Sequence, residues 1–473
     1  MMIKKIFVLL AASLCLTFVP VSCEKPAPTP EPDEQEQEKE LEAMKSSVAI
    51  IDDMIFDAKP KFTLQLTNPN EVALKVQVKV SLNADMGGWL ESWTDSVEVA
   101  GMTTKDVEIA YDTELQPGFY KSLCLVNGVT VKQLAFGIRP EDIISAPDMQ
   151  PDFNEYWEDA KAHLPELIEG ETVNLELINT TDTHNIYLVE MQSVPNGLDG
   201  DPVIVRGFFV EPKDGKKHPV LMHFFGWDDR MGPVTVPAGG SGDYTEFYLS
   251  TRGQYHNNRA AGYEKQEKWI NEHGEWHAAD SCTYASIMNP SDKYNWFGFN
   301  FGDKNAFYYR GAFLDTVQAV RFMASRATSD MNNLFAEGSS QGGALSYACA
   351  ALSDYPFTAI APNVAFLGDY PHYFKIAGWP ANVAKENKGT MTDEEMYAFL
   401  SYFDTKNLAT RISCAVHASS GLKDETCPPH TNYAPFNNLN TKDKVMIVGP
   451  EMTHDYPPGW ETKWRAFFKE RMK

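Results

Sequence analysis

Hydrophobic periodicity changes once along the chain, near residues 139–150, and the change limits what each side of it can fold into. From Ser46 to Ile138 the sequence runs in short alternating stretches, among them KFTLQLTNPNE, VALKVQVKVSLNAD, KDVEIAYD and VTVKQLAFGI. Every second side chain is apolar, which puts one face of a strand in a core and the other in water. Half a dozen such runs predict a small all-β, immunoglobulin-like sandwich over residues 46–138. No polar constellation appears within it, so a structural or spacing role is expected ahead of carbohydrate binding.

RPEDIISAPDMQ, residues 139–150, reads as a linker, and PDFNEYWEDAKAHL then opens a second domain, 139–473 with the linker included, on a proline and a helical spacing of apolar residues. Strand-like and helix-like segments alternate from there on: VIVRGFFVEP, HPVLMHFF, the helical FLDTVQAVRFMASRA, LFAEG, the helical GGALSYACAAL, RISCAVHAS, KVMIVGP and the helical WETKWRAFFKERM. That order predicts a mostly parallel sheet covered by helices on both faces, an α/β architecture. A chain of 473 residues with 43% hydrophobic content can fill both cores.

The amino terminus follows different rules. MMIKKIFVLLAASLCLTFVPVSC has two lysines, an apolar run too short for a comfortable membrane span, and small residues before a cysteine, so residues 1–22 are expected to be an export signal. The pattern resembles a bacterial lipoprotein signal with Cys23 as the lipidated residue, although Pro20 stands where leucine is usual; a plain secretory peptide is the alternative. Residues 23–45 are rich in proline and acid and read as a tether. These segments predict an exported lipoprotein at the cell surface or in the periplasm, touching the membrane only through its anchor. The formal net charge of −24 argues against a nucleic-acid partner. Five cysteines follow Cys23, with no CxxC among them, and they specify neither a disulfide framework nor a zinc site.

Chemistry concentrates in AEGSSQGGALS, residues 336–346. Gly338, Ser340 and Gly342 make GxSxG directly after a strand and before a helix, where backbones approach too closely for side chains on either side of the serine. Ser339 lacks those flanking glycines. A serine nucleophile needs a histidine base and a carboxylate that fixes the imidazole tautomer, in the order Ser, Asp, His on this fold. Asp424 follows the strand RISCAVHAS, and His454 follows KVMIVGP. His417 lies within a strand pattern and is expected in the core, while His430 stands too near Asp424 in sequence to be its partner. His273 and His277 lack an HExxH pattern and a third ligand, so no metal is expected. The oxyanion amides are expected from Gln341, after the nucleophile, and from Trp227, in the loop after HPVLMHFF.

With these residues in place the sequence resembles acetyl xylan esterases of carbohydrate esterase family seven, α/β-hydrolases that include cephalosporin-C deacetylases. The resemblance spans about residues 140–473 and rests on TRGQ at 251–254, AFYYRGAFLDTVQAVRFM at 306–323, GSSQGG, ALSDYP and GLKDETCPP. It implies Ser340 as nucleophile, Asp424 as acid, His454 as base, and the amides of Gln341 and Trp227 as oxyanion donors. Arg252, Gly253 and Gln254 would organise the structure near the site. No cofactor is implied, the substrate would be an acetylated carbohydrate such as xylan or its oligosaccharides, and the oligomeric state is left open. Three departures stand out: Phe225, Gly226 and Trp227 replace the usual histidine-glycine-tyrosine, Asp455 follows the histidine in place of glutamate, and residues 255–305 form a longer stretch than usual. That stretch carries Trp269, Trp276, Tyr284, Tyr294, Trp296 and Phe297, either to stack on sugars at the site mouth or to pack on one another. Two other functions fit the same residues: a serine hydrolase on another small ester or amide, and a non-catalytic surface carbohydrate-binding lipoprotein.

Overall fold

The structure, a computed structural model, describes residues 41–227, 239–252 and 295–473. Met44–Lys473 form one compact unit and Met1–Ala43 another; Cys23 and most of the expected tether lie outside the described residues. No described helix is long and apolar enough to cross a membrane.

Eight strands occupy the first part of the compact unit: β1 (Lys45–Val48), β2 (Ile55–Phe56), β3 (Phe62–Thr67), β4 (Leu74–Ala84), β5 (Trp89–Val99), β6 (Thr104–Ile109), β7 (Gly118–Val126) and β8 (Val129–Ile138). They form a three-stranded sheet, β1-β3-β6, and a five-stranded sheet, β2-β8-β7-β4-β5. The alternation read from the sequence fixes their faces, with Phe62, Leu64 and Leu66 of β3 and Val76, Val78, Val80 and Leu82 of β4 buried in one core.

Nine more strands form a single mixed sheet: β9 (Val173–Thr180), β10 (His184–Ser193), β11 (Val203–Pro212), β12 (His218–Phe224), β13 (Thr245–Ser250), β14 (Ser329–Ser339), β15 (Ala359–Asn363), β16 (Ala415–Gly421) and β17 (Lys444–Gly449). Their order is β17-β16-β15-β14-β12-β13-β11-β10-β9. The pairs from β13 to β17 are parallel, and β9, β10 and β11 add an antiparallel edge. Both faces are covered. Leu221 and Phe335 pack with Trp460, Trp464 and Phe468 of the helix Trp460–Lys469, while Val220, Met222, Leu334 and Ala336 join the larger core that holds the helices Tyr308–Ala324 and Gln341–Leu352.

The segment read as a linker is tied down along its length. The Asn438 side chain donates to the Ser145 carbonyl at 2.8 Å, and the Asp148 carboxylate accepts from Lys406 at 3.1 Å and from the Asn407 amide at 2.8 Å. Beyond one short 3-10 turn, Pro140–Asp142, it joins no helix or strand, and side chains satisfy its backbone at Ser145 and at Asp148, whose N–H donates to Asn407 Oδ1 at 3.0 Å. Cys124, Cys349, Cys414 and Cys427 are all free thiols.

Arg252 holds β13 to the helix Tyr308–Ala324. Its guanidinium is fully buried and reaches Asp315 through Nε at 2.9 Å and Nη2 at 2.6 Å, while Ser193 donates to the same carboxylate at 2.6 Å. A forked pair of this kind needs the planar guanidinium. Arg252→Ala would leave Asp315 buried and uncompensated, a loss of about 3 to 5 kcal/mol, and Arg252→Lys should recover only part of it. Denaturant unfolding of the two variants against wild type measures the effect.

Candidate active site

The turn between β14 and the helix Gln341–Leu352 dictates the geometry of the site. Ser340 adopts φ 58° and ψ −117°, a conformation that costs energy in any residue with a side chain. Neighbouring backbone enforces it. A β-carbon on Gly342 would lie 2.1 Å from the Phe224 carbonyl oxygen, and one on Gly338 would lie 2.4 Å from the Gly342 oxygen. Two hydrogen bonds pin the strained residue, from Ser340 N–H to the Asn363 carbonyl at 2.9 Å and from Phe366 N–H to the Ser340 carbonyl at 3.0 Å.

Asp424 and His454 come from the loops after β16 and β17, at the carboxyl ends of adjacent parallel strands. His454 Nδ1 lies 2.7 Å from Asp424 Oδ2, and the other carboxylate oxygen accepts the N–H groups of Thr426 and Cys427, each at 2.8 Å. The Asp424 side chain is wholly buried while that of His454 keeps 28% exposure, so the carboxylate is fixed and the imidazole faces open space. Ser340 and His454 line one cavity of about 530 Å³, walled by Trp227, Phe366 and Trp379. With Nδ1 committed to Asp424, Nε2 is the nitrogen left for proton exchange.

Gln341 opens its helix, so its N–H has no intrahelical acceptor and sits at the positive end of the helix dipole. Its side chain points elsewhere, accepting from the Tyr309 hydroxyl at 3.0 Å. The loop after β12 passes directly over the turn: a β-carbon on Gly226 would lie 3.5 Å from the Ser339 carbonyl oxygen and 3.9 Å from Ser340 Cβ. Trp227 follows. Its ring meets Trp296 at 5.2 Å, Trp379 at 5.8 Å and Phe366 at 6.0 Å, so it walls the cavity and joins the core together.

The other expectations sort as follows. Ser339 lines the same cavity as Ser340, but its hydroxyl is engaged as acceptor of the Asn363 amide at 2.7 Å. His417 is buried in β16 between Trp460 and Phe467, and burial pushes its pKa down to about 4. His430 bonds to Asp369 at 3.1 Å, where His372 at 2.6 Å and Lys406 at 3.0 Å also converge. Burial opposes ionisation of Asp369, but the hydrogen bonds from His372 and His430 and the charge of Lys406 outweigh it and hold the carboxyl well below the usual range. The two imidazole nitrogens and a carboxylate oxygen are ligand-type atoms within 4.8 Å of one another, with the ammonium on the second Asp369 oxygen. Trp296 and Phe297 are buried, and Trp296 stacks on Tyr308 at 5.5 Å, so these two rings pack inward. Gly253, Gln254, His273, His277, Trp269, Trp276, Tyr284 and Tyr294 lie outside the described residues.

Two residues that sequence reasoning passed over position the site. The Asn363 amide bonds both Ser339 Oγ and, at 3.2 Å, the Asp455 carbonyl next to His454. His223, three residues before Gly226, lies between Glu337 at 2.7 Å and Glu246 at 3.3 Å and stacks on Tyr248 at 4.0 Å. These contacts tie β12, β13 and β14 together beneath the loop after β12 and the turn at Ser340. The available signal was a polar residue interrupting an apolar strand, seen in HPVLMHFF, TEFYLS and LFAEG.

The sequence model of the family described as Acetyl xylan esterase (AXE1) matches residues 143–472, well over half of the chain. The chain belongs to this family. It is therefore a serine carboxylic-ester hydrolase. It is 27% identical over 348 residues to Acetyl esterase Axe7A of Xylanibacter ruminicola, covering 72% of each chain. Acetyl Xylan Esterase 1 from Thermoanaerobacterium sp. JW/SL YS485 is similar in structure, with a TM-score of 0.53, 23% identity, and coverage of 70% of this chain and 98% of that one. The acetyl xylan esterase from Paenibacillus sp. R4 gives a TM-score of 0.55, 24% identity and the same coverage. These two likenesses support the α/β-hydrolase fold. Asp424 and His454 follow adjacent strands, β16 and β17, while Ser340 follows β14, with β15 between.

The charged state of His223 gives the site a pH signature. Burial opposes its charge, yet Glu246 and Glu337 outweigh burial and raise its pKa to about 9. A histidine raised on folding contributes stability that is complete below its unfolded pKa of about 6.5 and is lost as the pH climbs through the folded value. The unfolding midpoint of wild type should therefore exceed that of His223→Gln most below pH 6.5, with the gap closing by about pH 9. Thermal unfolding of both proteins across that range checks it, and a pH-independent gap is the contrary result.

Proposed function

We propose that residues 139–473 act as a carbohydrate deacetylase that hydrolyses acetyl esters of xylan or xylo-oligosaccharides. The observation that carries the reading is the buried Asp424, bonded at 2.7 Å to a His454 that shares its cavity with the strained Ser340. Family membership and the names borne by the similar proteins supply the substrate class.

Ser340 Oγ attacks the acetyl carbonyl carbon and its proton passes to His454 Nε2. Asp424 accepts the Nδ1–H bond, which fixes the tautomer and stabilises the imidazolium. The carbonyl oxygen, now negative, takes hydrogen bonds from the Gln341 and Trp227 amides. As the carbon–oxygen bond to the sugar breaks, the departing oxygen receives the proton from His454 and an acetyl group stays on Ser340. Water then attacks that ester with His454 as base, and acetate leaves with Ser340 reprotonated. These steps use only the chain's own groups.

The same proposal covers the amino-terminal segments, residues 1–138. Residues 1–22 serve as an export signal, Cys23 as the lipidated residue and 23–45 as a tether, which would hold the enzyme outside the cell membrane; the charge pattern of MMIKKIFVLLAASLCLTFVPVSC supports this reading. Residues 46–138 form an immunoglobulin-like sandwich, a reading supported by the two sheets with a common core.

Ser340→Ala and Asp424→Asn should lower kcat for acetate release from acetylated xylo-oligosaccharides by about three orders of magnitude or more, with folding intact by circular dichroism. Release at the wild-type rate by Ser340→Ala contradicts the assignment. Turnover restricted to acyl groups much larger than acetyl contradicts the substrate class.

A further inference from the structure

We propose that the amino-terminal sheet builds part of the active site, and that Lys121 and Gln133 bind the neutral sugar residues flanking the one that carries the acetyl group. This rests on the deacetylase reading above. Both residues lie outside the stretch 143–472 that matches the family, so the family alone would not supply them.

A second cavity, of about 400 Å³, adjoins the first and is lined by Lys121, Gln133, Lys423, Glu425, Thr426 and His454. Its volume falls in the range of small-ligand sites. Thr426 and His454 line both cavities, so the catalytic base forms the boundary between them. That position bears on the reaction. Because His454 must protonate the departing sugar oxygen, the rest of the sugar has to extend past His454, away from the aromatic cavity that receives the acetyl carbonyl.

β7 and β8 aim at this space by register. Lys121 pairs with Ala135 and Leu123 with Gln133, so Lys121 and Gln133 are diagonal neighbours on one face of the strand pair. Ion pairs hold this strand pair to the loops that bear Asp424 and His454. Lys121 meets Glu425, next to Asp424, at 3.3 Å, and Lys132 meets Glu451 at 2.8 Å on the loop that carries His454. Lys423 joins Glu451 at 2.9 Å, which links the two loops to each other.

The chemistry of the lining selects the ligand class. Ammonium, carboxamide, hydroxyl and carboxylate groups surround the cavity, a mixture of donors and acceptors suited to the hydroxyls of a sugar. Lys121 lies beside Glu425 at 3.3 Å and Lys423 beside Glu451 at 2.9 Å, so neither ammonium of the lining stands alone as an anion site. The Gln133 carboxamide is exposed and has no hydrogen-bond partner among the described residues. Lys121 spends one donor on Glu425 and keeps the geometry to offer another.

Steady-state kinetics of the full chain test the proposal with two substrates, an acetylated neutral xylo-oligosaccharide and p-nitrophenyl acetate, which has no sugar to place. For Gln133→Ala and Lys121→Ala, kcat/KM on the oligosaccharide relative to that on p-nitrophenyl acetate should fall about five- to tenfold, carried mainly by KM. Gln133→Ala is the decisive variant, since no hydrogen bond of its side chain to the described residues is lost. An unchanged ratio for Gln133→Ala in an enzyme whose wild type deacetylates the oligosaccharide overturns the subsite and leaves the deacetylase reading standing. A wild type that hydrolyses p-nitrophenyl acetate but not the oligosaccharide overturns both.

Discussion

The Phe224 carbonyl oxygen sits where a β-carbon of residue 342 would otherwise go, 2.1 Å away, and the rest of the site depends on that crowding. Strand β14 can turn straight into its helix only if residues 338 and 342 lack side chains, and the turn then leaves Ser340 at positive φ. From this one constraint three consequences follow. The serine side chain stands clear of the sheet, the Gln341 N–H points from a helix start toward the same space, and the loop after β12 is forced to pass above them with Gly226 in contact. A strained residue persists only where its surroundings over-determine it. Here Asn363 and Phe366 do so through backbone bonds, and the Asn363 side chain extends the same frame to the segment bearing His454.

Buried charge completes that frame. His223 between Glu246 and Glu337 fastens three parallel strands at their functional ends, and Arg252 with Asp315 fastens the end of β13 to the helix behind them. Such pairs add little net stability over apolar packing, but breaking one leaves an uncompensated charge, so each specifies a register strongly. The triad loops have a different support. Their outer edges carry Glu425 and Glu451, which meet Lys121 and Lys132 of the amino-terminal sheet, and Glu451 also meets Lys423. The first eight strands therefore do more than extend the chain: they stand against the acid and base loops and contribute a wall to the space beside His454.

Much of this was legible in the sequence because periodicity and turn chemistry are local. Alternation in KVQVKV gave the buried face of β4, and GSSQGG between strand-like and helix-like runs gave the tight turn that holds Ser340. The order of Asp424 and His454 was legible for the same reason, since each follows a strand directly. What escaped was set by contacts far apart in sequence. His223 and Asn363 look like stray polar residues until β12, β14 and β15 are adjacent, and RPEDIISAPDMQ looks like a free linker until Asp148 meets Lys406. Lys121 and Gln133 were invisible for a related reason: on a half-exposed strand face, nothing local distinguishes a solvent-facing amide from one that faces an active site.

The central claim is that the strained serine, and not its neighbour, is the nucleophile. Treating the protein with a p-nitrophenyl phosphonate ester, which traps an activated serine covalently, and mapping the adduct by peptide mass spectrometry tests it most directly. The account predicts a single adduct on Ser340 with stoichiometric loss of esterase activity and none on Ser339. An adduct on Ser339 or on any other residue, with Ser340 unmodified and activity lost, would contradict it.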